Sequence, residues 1–414
     1  MALNLSTLTN PATSGGILAE ALTTADFLDP VPILKNLSRG SNKGGDAKQT
    51  TALNQPKALP LTADSNGVVG GYLYQPNVAG NAPAVNIPSI SANEDFVFEM
   101  EVYLVDATSF HLASGANANN RFAVYGGSFY FAPENRNLSS PLSTGACTLT
   151  VERSGTTATL KQDGVTKATI TGVSSLYYNL THLSFNGQHS TSIGKINGYI
   201  KTATLSIEGT EVFNCDFTAT NVRHGDTKFK CATGQVVTIN QSGNDPATII
   251  KKPVLRFDGA NGFMDGVFGQ TVTEGGYAFA AFSVLGDGGE PWGRVLSFNA
   301  TGGQDYQNGG HTFIIKSDAT NNVSLPTGTE TEMFDDVNGD ILIEAGRGAN
   351  YRKSRINNAS VKSQVTANTM SFDEFNLGSA WNGTSSSCID LEYLALFPAT
   401  ITDDQADSVR NYIN

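Results

Sequence analysis

The chain has 414 residues, room for two or three folding units at about 150 residues each. Charged residues make up only 15% and glycine fills 43 positions, which suits short strands joined by turns better than long helices. A formal net charge of −12 argues against nucleic acid as a partner, since nonspecific binding needs Lys and Arg to neutralise phosphates. No apolar run approaches the ~18 residues of a membrane span, so no membrane insertion is expected.

In chain order, Met1-Ala2-Leu3-Asn4-Leu5-Ser6 lacks a basic segment followed by an apolar one, so a soluble chain made in a cytoplasm is expected. Gly16 to Leu28 has Ile17, Ala21 and Leu28 on one side and Pro30 as a stop, the pattern of one short helix. Lys35, Arg39, Lys43, Lys48 and Lys57 then stand against Asp46 alone in a Ser/Gly/Asn/Gln-rich stretch. Residues 1–65 hold too few apolar side chains for a core of their own. They read either as a tail or as an extended arm that orders against a partner, with those five cations as its anchoring residues.

Strands with a period of two follow. Phe96, Phe98, Met100, Val102 and Leu104 share one face of a half-buried strand. Arg121 to Phe131 is split at Gly126-Gly127 as a hairpin or bulge. Thr148 to Ile170 predicts three strands with turns at Ser154-Gly155 and Asp163-Gly164, the second because Asp-Gly accepts the positive φ of a tight hairpin. An internal repeat then appears. Phe185-Asn186-Gly187 leads through a polar loop into Gly198 to Ile207; Phe375-Asn376-Leu377-Gly378 leads likewise into Cys388 to Phe397. Phe96 to Leu104 matches Tyr277 to Leu285, and Asp163-Gly164 corresponds loosely to Asn357-Asn358. So long a period means two copies of a whole domain. The boundaries expected are an arm at 1–65, domains at 66–215 and 253–414, and a connector at 216–252 with one strand-like run, Gln235 to Ile239. Thr402 and Gln405 form a capping box for a closing helix that runs to Ile413.

Four cysteines, Cys147, Cys215, Cys231 and Cys388, are too scattered for a disulfide framework. Cys215 and Cys231 could pair; four small buried thiols is the plainer reading. There is no G-x-S-x-G elbow and no H-E-x-x-H, and His111, His182, His189, His224 and His311 lack ligand spacing. Asp336-Val337-Asn338-Gly339-Asp340 begins like a calcium loop but has Ile341 and Arg347 where Gly and Glu belong, so it reads as an Asn-Gly hairpin turn. Trp292 beside Pro291 and Gly293, and Trp381 beside Asn382-Gly383, sit in predicted loops. Each suits either sugar stacking or closure of a sheet edge.

The Leu149–Gly164 block, the strands Tyr199–Ile207 and Ile389–Phe397, the opening run Pro253-Val-Leu-Arg-Phe-Asp-Gly259 and the closing Pro398-Ala-Thr-Ile-Thr402 through Ile413 together resemble concanavalin A-like, laminin G-like domains. The tandem pair is similar to those found in bacteriophage structural proteins. The resemblance implies an all-β fold of two tandem antiparallel β-sandwiches (jelly rolls) with an extended N-terminal arm. It implies a non-catalytic virion protein, localised to the virion and fixed by its arm to a capsid or tail. Its two lectin-like sandwiches would serve as capsid decoration, tail fibre or host-adhesion modules. The partners implied are other virion proteins, further copies of the chain in a homo-oligomer, and a host-surface carbohydrate. No cofactor is implied; calcium is the one ion such loops take up, through carboxylates such as Asp258, Asp265, Asp287 or Asp305.

The same fold also hosts glycosidases and depolymerases, so a glycan-active enzyme is the alternative, with a bacterial surface adhesin as a third class. The enzymes carry acids as Glu-x-Asp-x-Glu on one strand face, with a retaining pair about 5 Å apart. Cys388-Ile389-Asp390-Leu391-Glu392 keeps Asp390 and Glu392 but has Cys388 first, and the sister strand has Gly198, Ile200, Lys201 and Thr202. Asp390 and Glu392 therefore read as solvent-face acids, and no catalytic residue is assigned.

Overall fold

The computed structural model describes residues 33–34, 47–49, 55–59, 61–63, 69–76, 82–86, 94–115, 121–131, 134–173, 180–184, 196–241, 244–273, 275–289, 293–304, 311–316, 323–327, 330–334, 340–348, 351–357, 359–365, 371–380, 382–397 and 401–413. The chain divides into two compact units, Leu61–Lys251 and Met1–Pro60 with Lys252–Asn414. Each is built on two large antiparallel sheets.

In the first unit one sheet runs, strand by strand, Val165–Thr171, Thr157–Gln162, Gly145–Ser154, Phe96–Leu104, Gly198–Ile207, Tyr72–Gln75, Thr248–Ile250. Thr210–Asp216 also pairs with Gly198–Ile207. The other sheet runs Glu134–Asn137, Ser128–Phe131, Arg121–Tyr125, Ser109–Gly115, Leu180–Ser184, Ala82–Asn86, Val236–Asn240, Lys228–Lys230. Period-two patterning decides which side faces in. Phe96, Phe98, Met100, Val102 and Leu104 are buried, and the residues between them are exposed or half-buried. Phe98 and Leu160 of one sheet share a core with Phe110, Phe122 and Phe131 of the other, so the two sheets form a sandwich. Asp163-Gly164 makes the expected tight turn, with φ of 51° and 74°. The Asp163 carboxylate also accepts a hydrogen bond from the Thr148 amide at 2.9 Å, which locks the turn to the neighbouring strand.

The second unit repeats this order strand for strand. One sheet runs Lys362–Val365, Tyr351–Ile356, Asp340–Gly348, Gly275–Gly289, Ser387–Phe397, Val254–Asp258, Lys57–Leu59. The other runs Glu330–Phe334, Val323–Thr327, His311–Lys316, Arg294–Asn299, Phe372–Leu377, Met264–Val272, Ala47–Lys48, Ile33–Leu34. Phe257, Phe282 and Ile343 of the first pack with Phe268, Phe298 and Phe375 of the second. The closing helix α1, Asp403–Ile413, begins with the expected capping box. The Thr402 amide donates to Gln405 Oε1 at 2.9 Å, and the Gln405 amide donates to Thr402 Oγ1 at 3.3 Å. Ala406 and Val409 of α1 cover Tyr277, Phe279 and Phe397 on the outer face of its sheet.

The two copies exchange their edges. Three short strands ahead of the first sandwich (Ile33–Leu34, Ala47–Lys48 and Lys57–Leu59) complete the second one. Three strands ahead of the second sandwich (Lys228–Lys230, Val236–Asn240 and Thr248–Ile250) complete the first. The segment 216–252, expected as a connector, thus contributes three strands, held by buried Phe229, Val237, Ile239 and Ile249. The strand-like run expected at Gln235 to Ile239 is one of them, while the three-residue strands Lys228–Lys230 and Thr248–Ile250 carry too few alternations to stand out in a sequence window. The stretch expected as an arm, 1–65, likewise has Ala58 and Leu59 fully buried in the second unit. Glu330–Phe334 and Asp340–Gly348 lie in different sheets, and the turn expected at Asn338-Gly339 lies outside the described residues. The helix expected over Gly16 to Leu28 lies outside the described residues.

Candidate functional site

In the second unit, Met264 and Phe268, Leu296 and Phe298, and Phe375 and Leu377 point into the core from three adjacent strands. Strand alternation turns the residues between them to the other face. The register sets them in two rungs: Asp265, Asn376 and Ser297 lie directly opposite one another, and so do Val267, Glu374 and Asn299. Five of these six are polar. Ser297, Asn299 and Asn376 are almost fully buried, Glu374 is half-buried and Asp265 is exposed, so the patch has a dry floor and an open rim.

Its hydrogen bonds are directional. Asn376 Nδ2 donates to Asn299 Oδ1 at 2.5 Å, and Asn299 Nδ2 donates to Glu374 Oε2 at 2.7 Å. Ser297 Oγ is buried with no partner among the described residues. A buried hydroxyl without a partner carries a desolvation cost of about 1–3 kcal/mol, which a ligand group could relieve. Partial desolvation by the protein packed beside it and, after that, repulsion from Glu374 push the Asp265 carboxyl up to about 6. Gly266 makes the geometry feasible, because a β-carbon there would lie 2.1 Å from the Phe375 ring. Two carboxylates, two amides and a hydroxyl can hold polyhydroxylated groups by paired donation and acceptance. The same carboxylates repel anions.

The acids singled out in the sequence are elsewhere. Asp390 is not on a solvent face: it is fully buried and accepts hydrogen bonds from Arg256 Nε at 2.5 Å and Nη2 at 2.9 Å. Glu392 pairs with Lys252 at 2.6 Å. Asp258 caps its own loop by accepting from the amides of Ala260, Asn261 and Gly262 at 2.9, 3.0 and 2.9 Å. Burial raises its carboxyl, but these three bonds outweigh burial and hold it below the usual carboxylate range. Among the described residues no group of three or more His, Cys, Asp and Glu is placed to hold a metal ion. No described helix is long and apolar enough to cross a membrane.

Trp292, Trp381, Lys35, Arg39, Lys43, Asp287's side chain and Asp305 lie outside the described residues. Lys48 sits in the strand beside Asp265, and Lys57 lies in the strand that pairs with Val254–Asp258. Sequence reasoning named Asp265 but missed Ser297, Asn299, Glu374 and Asn376. Their strands show polar residues alternating with core ones, which was the available signal; their assembly into rungs depends on register between strands about 30–110 residues apart in sequence.

No protein-family model matches the chain, and no curated protein matches it. Among solved structures, domains LG4-5 of the mouse laminin alpha1 chain align at 12% identity over 82% of this chain and 91% of that one, with a TM-score of 0.27. The LG1-3 region of the laminin alpha2 chain aligns at 10% identity over 80% of this chain and 62% of that one, with a TM-score of 0.28. The two-sandwich architecture stands on the strand pairing itself.

Proposed function

We propose that the protein recognises glycans without transforming them, through the polar patch of Asp265, Ser297, Asn299, Glu374 and Asn376 on the second sandwich. The observation that carries this is the Ser297 hydroxyl, buried without a partner among the described residues on the same rung as Asn376 and the exposed Asp265. Glycan-array screening followed by titration calorimetry on the intact chain tests it. Asp265→Asn and Asn376→Ala should each weaken binding by roughly tenfold or more, as loss of a hydrogen bond to a charged or buried partner does. Unchanged affinity in both, or no glycan bound, contradicts the reading.

One observation favours an enzymatic second reading. A carboxyl pushed up to about 6 beside a second carboxylate has the form of a split acid pair. Release of reducing ends from a bound polysaccharide, abolished by Glu374→Gln, would establish it. The finer assignment, a bacteriophage capsid or tail component displaying two sandwiches in a homo-oligomer, is supported by the resemblance of Pro253–Gly259 and Pro398–Ile413. Mass spectrometry of purified particles tests that assignment. The anchoring role of the N-terminal cations stays part of this proposal, for whatever portion of residues 1–60 is not engaged in the second sandwich.

A further inference from the structure

Cys215 lies in the strand Thr210–Asp216, which pairs with the body of the first sandwich, while Cys231 opens the turn of the exchanged hairpin Lys228–Lys230/Val236–Asn240. The two thiols are close enough to shift one another's ionisation in opposite directions, Cys215 upward and Cys231 downward. The backbone around them is fixed on both sides. The Cys231 amide donates to Gln235 O at 2.8 Å, and the Gly234 amide donates back to Cys231 O at 2.9 Å, closing a tight turn. That turn is tied to the facing strand by the Asn214 amide donating to Thr233 Oγ1 and by Gln235 Nε2 donating to Val212 O, each at 2.9 Å. Phe217 and Phe229 meet edge to face with centroids 5.6 Å apart and pack the same seam. These contacts hold the turn that carries Cys231 against the strand that carries Cys215. All four cysteines are buried and outside any disulfide, and Cys147 is engaged by Gln162.

We propose that Cys215 and Cys231 are a redox site, forming a reversible disulfide that staples the exchanged hairpin to the body of the first sandwich. The oxidant class is a low-molecular-weight disulfide. Cys231, 6% exposed against 0% for Cys215, is the thiol that meets it. The Cys215 thiol lowers the pKa of Cys231 against the opposing effect of burial, so Cys231 supplies the attacking thiolate. Its sulfur bonds to one sulfur of the reagent, and the other leaves as a thiolate that takes up a proton. Cys215 then gives its proton to the second leaving thiolate and bonds to Cys231. Two protein thiols are oxidised to one disulfide, and one reagent disulfide is reduced to two thiols.

The experiment equilibrates the full chain in glutathione buffers from fully reduced to fully oxidised, blocks remaining thiols by alkylation under denaturing conditions, and maps the peptides by mass. The expected result is a linked peptide pair containing Cys215 and Cys231, lighter by two hydrogens, with Cys147 and Cys388 fully alkylated. The oxidised chain should melt roughly 5–10 °C above the reduced one, the gain expected for closing a loop of about 16 residues. Cys231→Ala and, separately, Cys215→Ala should each remove the redox dependence of melting whatever their own stability. Full alkylation of both thiols after oxidation, a link between any other pair, or a Cys215–Cys231 link that leaves melting unchanged would overturn the proposal.

Discussion

At the scale of single residues, two carboxylates on the second sandwich show how burial separates support from recognition. Asp390 and Arg256 face each other across adjacent strands at 0% exposure, each compensating the other's lost hydration. Removing one partner strands a buried charge, so Asp390→Asn should lower stability by about 3–5 kcal/mol in denaturant titration. Replacing both by apolar residues of similar volume should cost far less. Asp265 behaves oppositely, because its carboxyl is pushed up to about 6 from its ordinary value of 3.8. A raised carboxyl means that the folded state holds its proton more tightly than the unfolded chain does. Its ionisation is therefore free of penalty below about pH 4 and opposes folding increasingly as pH rises through about 6. Asp265→Asn should accordingly stabilise the protein at pH 8 and leave it unchanged at pH 3.5. Discounted for solvent at an exposed rim, the gain is on the order of 1 kcal/mol. Melting curves at the two pH values check this, and stabilisation at pH 3.5 with none at pH 8 would refute it.

At the scale of elements, helix α1 is held by its apolar side and by one buried acid. Glu344, 2% exposed, accepts from the Tyr277 hydroxyl, from Arg355 Nε at 3.0 Å and from Arg410 Nη1 of the helix at 3.4 Å. Arg355 also reaches Asp407 at 2.7 Å, and Lys353 reaches Asp403 at 2.6 Å. Glu344→Gln leaves two guanidiniums facing an uncharged amide. Hydrogen exchange at residues 403–413 should then rise at least tenfold, while Phe96–Leu104 in the other unit stays protected. Elements whose information is local were legible beforehand. Phe96–Leu104 shows nine residues of clean alternation, Asp163-Gly164 carries its own turn chemistry, and Thr402 with Gln405 announces the cap. Where the deciding information is a distant partner, the sequence was mute. Glu330–Phe334 and Asp340–Gly348, consecutive in the chain, pair in different sheets. The three-residue strands Lys57–Leu59 and Thr248–Ile250 have too few residues for any period, and each draws its identity from the strand beside it. The polar patch was equally hidden, since Asp265, Asn376 and Ser297 become neighbours only once two registers are set.

At the scale of the whole molecule, each sandwich is completed by strands that precede the other in the chain, and this changes what the first sixty residues do. A free arm could be removed without loss of stability. Ala58 and Leu59, at 0% exposure on an edge strand paired with Val254–Asp258, predict otherwise. Burial of the leucine alone is worth roughly 1.5–3 kcal/mol. Deleting residues 1–60 should lower the melting temperature of the second unit by several degrees or more. Adding a synthetic peptide of residues 30–60 should restore part of the loss; melting identical to the intact chain would return the segment to the status of a dispensable tail. The repeat that produces two similar sandwiches does not give them the same surface. The strand of the first sandwich equivalent to the one bearing Ser297, Ser109–Gly115, turns Phe110 and Leu112 into the core and places the imidazole of His111 between them, where the second sandwich has the Ser297 hydroxyl. The proposed recognition site lies on the second sandwich, and one measurement tests that assignment most directly. Amide and side-chain NMR shifts of the intact chain, followed during titration with a glycan found by array, should move in one contiguous set at residues 264–267, 296–299 and 374–377, with the glycan recovered unchanged. Shifts confined to the first sandwich, or cleavage of the glycan during the titration, would contradict it.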